Sequence, residues 1–410
     1  MIRWILPNLG TAAFDAAADE PGVDILDVRD LLDKPGNPSA RVAEKVAEGS
    51  RLLKENKKVV VCCDYGMSRS NAIAAGILAS VESLAFGDAL RRVMEATGER
   101  AMRVEVIDVV RRIVQGPAKE AERDRILVLG GSGFLGRALV SALEASGAEY
   151  AAPSSDRVDA GDAAAMALEV WEQGVSTLVF LAAPRVENTS ESLGRSLAML
   201  RNALAVCSQT GVRLVFPSSW EIYAGHTGDI LADETLPPRP RDIRGETKFL
   251  CETLIGHYRE ARGLSACVLR LGPVYGTGAG RPPFIHNFLS RARRNLPVVT
   301  HQYANGLPAV DLLHETDAAR ALLLAATAPY EGTLNIGAGL PVTTARIAKM
   351  LVEKTGSKSE IVHIRLDART TNVTMDTALA RRVLGWQPEV SLEKGLEELV
   401  AAGNVEAHEH

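Results

Sequence analysis

Apolar positions in the first part of the chain fall into two short continuous runs and several longer periodic stretches. VDILDV at 23–28 and KVVVCC at 58–63 are unbroken and rich in β-branched residues, the pattern of strands buried on both faces. Helical spacing fills 39–55 between them, and further helices are predicted over 69–81, 86–97 and 103–114. The following stretch, QGPAKEAERD, is rich in charge and carries Gly116 and Pro117, which predicts a linker. The chain therefore divides into a first domain at 1–116, a linker at 117–124, a second domain at 125–402 and a tail at 403–410.

From Arg125 the rhythm changes to strand, turn and helix in repetition: RILVLGG then FLGRALVSALEAS, STLVFLAA then a helix over about 190–208, RLVFPSS, and LSACVLRLG. Such alternation requires an α/β fold with a parallel sheet covered on both faces, whose ligands bind at the carboxyl ends of the strands. The less regular segment after about 275 is expected to cap that sheet as a substrate lobe.

Composition narrows the possible functions. The chain has 410 residues, 46% hydrophobic and 24% charged, with a net charge of −5 and no basic stripe, so nucleic acid is a poor partner and small-molecule substrates are favoured. No uninterrupted apolar run reaches membrane-spanning length, and the N-terminus lacks the pattern of an export signal. Five cysteines form neither a paired framework nor a metal-binding spacing. A cytoplasmic protein without a metal and without membrane attachment is the expectation.

The stretch VVVCCDYGMSRSNAIAAG places Cys63 at the end of a strand, then Asp64, Tyr65, Gly66, Met67 and Ser68, then Arg69 and Ser70 at the start of a helix. A loop of successive backbone N–H groups ending at a helix N-terminus can wrap phosphate oxygens, while Arg69 adds a two-pronged grip. That positive environment favours a Cys63 thiolate able to attack phosphorus, and Ser70 can donate to the sulfur. Over about 1–114 the run resembles the protein tyrosine and dual-specificity phosphatases. The resemblance implies a cysteinyl-phosphate intermediate and an aspartate about thirty residues upstream that protonates the leaving oxygen. Asp30 and Asp33 are both candidates. The family's usual histidine before the nucleophile is replaced here by Cys62.

LVLGGSGFLGRAL supplies Gly130, Gly133 and Gly136, with Phe134 and Leu135 between the last two, at the first strand-to-helix turn of the alternating segment. Glycines so placed allow a tight turn and close approach of a pyrophosphate to the helix N-terminus. Together with VFPSSWEIYAG, RGETKFLCE, LRLGPVYG and DLLHETDAARA, the segment 125–400 resembles the extended short-chain dehydrogenase/reductase family of NAD-dependent epimerases and dehydratases. The resemblance implies a dinucleotide cofactor held by the glycine loop, Asp159, Ala182, Ala183 and Lys248. Ser154 and Ser155 stand where NAD-selective members carry an acid, which leaves NAD and NADP both open. Ser219 matches the family's catalytic hydroxyl, and Glu221 matches a glutamate that acts as base in its dehydratases.

Two departures bear on activity. The family's proton-transferring tyrosine lies four residues before its lysine, and here that position is Arg244, which cannot serve as acid or base. An arginine usually precedes the aspartate of the DLLH-like motif, and here Val310 precedes Asp311. The sequence therefore supports a bifunctional metabolic enzyme, hydrolysing a phosphomonoester at Cys63 and modifying a sugar or nucleotide-sugar-like substrate with NAD(P). The alternative is a phosphatase regulated or positioned by an inactive NAD(P)-binding module. The resemblance also admits a homodimer through the second domain.

Overall fold

The structure, a computed structural model, describes residues 1–116, 124–185, 188–278 and 282–402. The predicted tail and all of the predicted linker except Asp124 lie outside them. One compact unit holds residues 1–124, 156–175 and 205–212, and a second holds 125–155, 176–204 and 213–410.

In the first unit the elements run β1 (Arg3–Leu6), β2 (Leu9–Ala13), β3 (Asp24–Asp27), α1 (Ser39–Lys54), β4 (Val59–Cys63), α2 (Arg69–Glu82), α3 (Phe86–Thr97) and α4 (Val104–Gln115). The predicted strands and helices of this region all form. The hairpin β1–β2 was not predicted, because its strands are only four and five residues long and LGTAA gives no apolar run. The sheet order is β1-β2-β4-β3, with β4 parallel to both of its neighbours.

Strand β4 is buried along its whole length, and its alternation separates two faces. Val59, Val61 and Cys63 join the main core with α1, α2 and α3, whereas Val60 and Cys62 point into a smaller cluster with Ala12 and Ala17. Helix α2 is buried from Arg69 through Ala79, the position of a helix that is apolar nearly all round.

The same core takes in Ala164 and Leu168, contributed from much later in the chain. Trp171 lies under the Arg111 guanidinium at 4.7 Å, and Arg100 pairs with Asp162 at 3.0 Å. Buried Asp108 holds Arg111 at 2.8 Å and accepts from the Gln209 amide at 3.0 Å.

After α4 the chain continues through β5 (Arg125–Leu129), α5 (Phe134–Ser146), β6 (Tyr150–Ala151), α6 (Ala163–Gln173), β7 (Val175–Phe180), α7 (Ser190–Thr210), β8 (Arg213–Ser219), β9 (Gly228–Ala232), α8 (Ile243–Arg262) and β10 (Ala266–Leu271). The main sheet of the second unit has the order Gly332–Ile336, β10, β8, β7, β5, β6. Its β5–β6, β7–β8, β8–β10 and outer β10 pairings are parallel. The strand order reverses at β5, the switch point at whose carboxyl end such sheets bind ligands. Beyond residue 275, short strands and the helices Pro283–Arg293 and Thr344–Lys354 pack into a separate core around Tyr275, Phe288 and Leu351. No helix among the described residues is long and apolar enough to cross a membrane.

Candidate functional site

Cys63 ends β4 on the face that meets the helices, and the chain then turns back over it. Gly66 makes that turn at φ +68°, and a Cβ there would lie 2.5 Å from the Ala12 and Ala13 backbone. The Gly66 N–H donates to Cys63 Sγ at 3.2 Å, and Ser70 Oγ lies 3.4 Å from the same sulfur. Burial works to raise the Cys63 thiol. The Ser70 hydroxyl and the N–H groups of Ser70, Tyr65 and Gly66 outweigh it and hold the thiol below its ordinary value. Cys62, on the opposite face, is pushed up to about 11 by burial and by Asp27 and Cys63, so the two neighbouring thiols are chemically unlike.

Arg69, 8% exposed, opens α2 directly beneath this loop. Its Nη1 donates to the Leu31 carbonyl at 2.9 Å and its Nη2 to the Asp64 carboxylate, while Nε is buried and has no partner among the described residues. Ser68 Oγ accepts from the Arg103 N–H at 3.0 Å, which ties the loop to the start of α4. The side chains of Tyr65 and Met67 stand exposed, so these residues contribute backbone to the loop rather than side-chain grip. Arg3 donates to the Gly66 carbonyl. No spacing in the sequence links Arg3 or Arg103 to the loop, because only the sheet and α4 bring them there.

The two candidate acids differ in surroundings. Asp30 is engaged by Arg41 at 2.6 Å and Lys45 at 3.5 Å. Asp33 lies 4.0 Å from Arg103, and it is among the charges that stabilise the Arg69 cation.

In the second unit the loop after β5 meets the requirements of a dinucleotide turn. Gly130 has φ +89°, and a Cβ there would approach the Leu181 and Ala182 backbone to within 2.8 Å. A Cβ on Gly136 would lie 2.1 Å from the Gly130 carbonyl oxygen. Gly133 caps α5 without a side-chain hydrogen bond, so the N–H groups of the first turn, at Phe134 and Leu135, face outward from a bare helix end. Only glycine fits at positions 130 and 136, and the arrangement suits a pyrophosphate. Ala182 and Ala183 follow β7 directly, and Ser154 and Ser155 are exposed just after β6. Asp159, which falls in the first unit, sits in the turn before α6, where its carboxylate accepts from the Gly161 N–H at 2.8 Å.

At the carboxyl end of β8, the Ser219 hydroxyl donates to Glu221 Oε2 at 3.1 Å and accepts from the Glu221 N–H at 3.2 Å. Burial raises Glu221 above the ordinary carboxylate range, with Arg244 opposing and Asp242 reinforcing the shift. Arg244 Nε approaches Glu221 Oε2 at 3.6 Å from the first turn of α8. One helical turn further on, Lys248 donates to the Pro217 carbonyl at 2.8 Å and lies over the Phe216 ring. The structure thus brings together Ser219, Glu221, Arg244 and Lys248.

One tyrosine near this group is committed elsewhere. The Tyr223 hydroxyl joins Arg270 and Asn335, and Arg270 is held in turn by Glu252 at 2.7 Å, a buried network that the sequence motifs do not signal. Asp311 is buried, raised by that burial, and accepts from the Met375 N–H at 2.9 Å, a structural role. Val310 pairs with Val342, so no guanidinium stands at that position. Of the arginines near residue 290, Arg293 donates to the Val400 carbonyl at 2.6 Å, while Arg281 lies outside the described residues.

A doubly wound sheet with a glycine cradle at its first turn, and a serine, an acid and a lysine beyond its fourth strand, defines a dinucleotide-binding enzyme class. The model of the NAD dependent epimerase/dehydratase family matches residues 126–337, and the chain belongs to that family. It is 29% identical over 310 residues to a dTDP-6-deoxy-L-talose 4-dehydrogenase (NAD(P)(+)) of Kitasatospora kifunensis, covering 68% of this chain and 95% of that one. A UDP-glucuronate 4-epimerase of Thermodesulfobacterium geofontis is 28% identical, over 55% of this chain and 72% of its own length. Among solved structures, the Thermus thermophilus UDP-glucose 4-epimerase complex with NAD superposes with a TM-score of 0.59 at 27% identity, covering 68% of this chain and 98% of that one. The cofactor of the second unit is therefore NAD or NADP, and the glycine cradle fits it.

Proposed function

We propose that the chain is a bifunctional enzyme. Its second unit modifies the sugar of a nucleotide sugar with NAD(P), and its first unit hydrolyses a phosphomonoester through Cys63. Nucleotide sugars are the substrates named for the relatives above, and this chain spans nearly the whole length of the talose dehydrogenase.

In the second unit, bound NAD(P) supplies a hydride acceptor and donor, and the chain must move the accompanying proton. Arg244 stands in the tyrosine's place and cannot do so. Ser219 and Glu221 can: a sugar hydroxyl on Ser219 passes its proton to the serine oxygen as the serine proton moves to Glu221 Oε2. Arg244 and Lys248 steady the charge that forms. The Arg244 position also favours a second reading, in which this unit binds NAD(P) without turnover and regulates the phosphatase. Chromatography of the products formed from a panel of nucleotide sugars, with absorbance of the reduced nicotinamide, distinguishes the two.

In the first unit, the Cys63 thiolate attacks phosphorus, Arg69 and the loop N–H groups hold the equatorial oxygens, and the alcohol leaves with a proton. Water then hydrolyses the cysteinyl phosphate, releasing inorganic phosphate. The observation that carries this reading is the Cys63 sulfur receiving hydrogen bonds from its own loop above a buried Arg69 with an unpartnered Nε. Asp33 suits the acid role better than Asp30, which Arg41 and Lys45 already engage. Turnover of an aryl phosphate by the intact protein, abolished in Cys63→Ser, is the deciding test.

The proposal includes a homodimer through α7 and α8, which together line an apolar groove with Leu197, Leu250 and Leu254. Phe249 and Leu250 are exposed beside it. Sedimentation of the wild type against Leu250→Glu tests this pairing.

A further inference from the structure

A guanidinium that grips an oxyanion side-on uses Nε and Nη2, the two nitrogens that share an edge. In Arg69 the first of these is buried and has no partner among the described residues, and the second is already bound to the carboxylate of Asp64, the residue next to the nucleophile. The remaining nitrogen is held by the Leu31 carbonyl at 2.9 Å, so Arg69 cannot rotate to present a different edge. Its side chain is 9% exposed, whereas that of Asp64 is 51% exposed. The acid is free to swing into solvent and the arginine is not.

We propose that Asp64 is an internal competitor for the phosphate clamp: its carboxylate occupies the Arg69 edge in the resting loop, and a tetrahedral oxyanion binds by displacing it. The inference rests on the phosphatase reading of the same loop. Physically, a buried cation without a counter-ion is costly, and Asp64 supplies one while the loop is empty. An incoming phosphate exchanges one charge-assisted pair for another, so only the difference between them appears as affinity. The displaced carboxylate stays close to the anion and opposes it further. Asp64 thereby sets how strongly a ligand must bind before the clamp opens, making it a specificity-determining residue of the site.

The test uses the full-length protein with two probes, inorganic phosphate and tungstate, a tetrahedral dianion that cannot be hydrolysed. Binding is read by calorimetry and by protection of Cys63 from iodoacetamide, with melting curves to confirm folding. Asp64→Asn and Asp64→Ala should each bind both anions roughly tenfold more tightly than wild type, the scale of one part-exposed charge-assisted pair. Unchanged or weaker binding in both folded variants, beside measurable binding in wild type, overturns the inference and leaves the phosphatase reading standing. Tighter binding in the variants without aryl phosphate turnover in any protein supports the clamp and sinks the phosphatase reading. Failure of all three proteins to bind either anion overturns both.

Discussion

Arg244 Nε lies 3.6 Å from Glu221 Oε2, so the residue in the family's proton-transfer position is ion-paired with the acid proposed to replace it. The pair explains how a buried carboxylate and an arginine coexist beside a ligand crevice. Burial raises Glu221, and Arg244, Ser219 and Lys248 only partly offset the effect.

This balance fixes a pH dependence of stability. A carboxyl whose pKa is raised by folding contributes fully at pH values below the ordinary carboxylate range, and that contribution is lost as pH rises through its raised value. Glu221→Gln stays neutral throughout. Its melting temperature relative to wild type should therefore climb as pH rises from the ordinary carboxylate range, then level off. A gap that moves the opposite way would mean that Arg244 outweighs burial.

Hydride chemistry should be weak in the wild type and depend on Glu221. With simple nucleotide sugars and NAD(P), reduced-nicotinamide absorbance and chromatography of the products should show little exchange, and Glu221→Gln should remove what there is. Arg244→Tyr restores a phenol four residues before Lys248, whose ammonium favours its ionised form. Exchange should rise on the order of a hundredfold, the usual scale for a positioned acid–base group. Rapid wild-type epimerisation that survives Glu221→Gln would place the proton transfer on another group.

At the phosphate loop, Cys63→Ser should abolish aryl phosphate turnover and Arg69→Ala should reduce it by about a hundredfold or more, since nucleophile and clamp act together. Iodoacetamide should label Cys63 with a pH midpoint below that of an ordinary thiol, and Ser70→Ala should move the midpoint upward by removing a donor to the thiolate. Cys62, pushed up to about 11, should resist labelling over the same range. Asp33→Asn should depress turnover of a poor leaving group far more than of a good one, and Asp30→Asn should show no such distinction.

Cofactor binding should depend on the glycine cradle. NAD(P) should raise the melting temperature of the intact protein by mass action. Gly133→Asp places a negative charge at the bare N-terminus of α5 and should abolish that rise; melting curves without cofactor check that the variant folds, since its Cβ would press on the Gly130 carbonyl at 3.2 Å. A retained shift would move the pyrophosphate site away from this turn.

Much of this protein is legible in the sequence because its information is local. Continuous apolar runs mark β4 and β5, the glycine spacing marks the turn into α5, and Cys63 with Arg69 marks the loop that joins β4 to α2, since each depends on residues only a few positions apart. Hairpin β1–β2 escaped because its strands are only four and five residues long and the second, LGTAA, forms no apolar run, and Arg3 and Arg103 escaped because they reach the loop after Cys63 from distant chain positions. The tertiary structure alone decided which cluster each face of β4 enters, Cys63 the main core and Cys62 the smaller one, that Asp30 is engaged while Asp64 occupies Arg69, and that Glu221 is buried against Arg244. Charge pairing and desolvation arise from neighbours in space, and periodicity along a chain does not encode them.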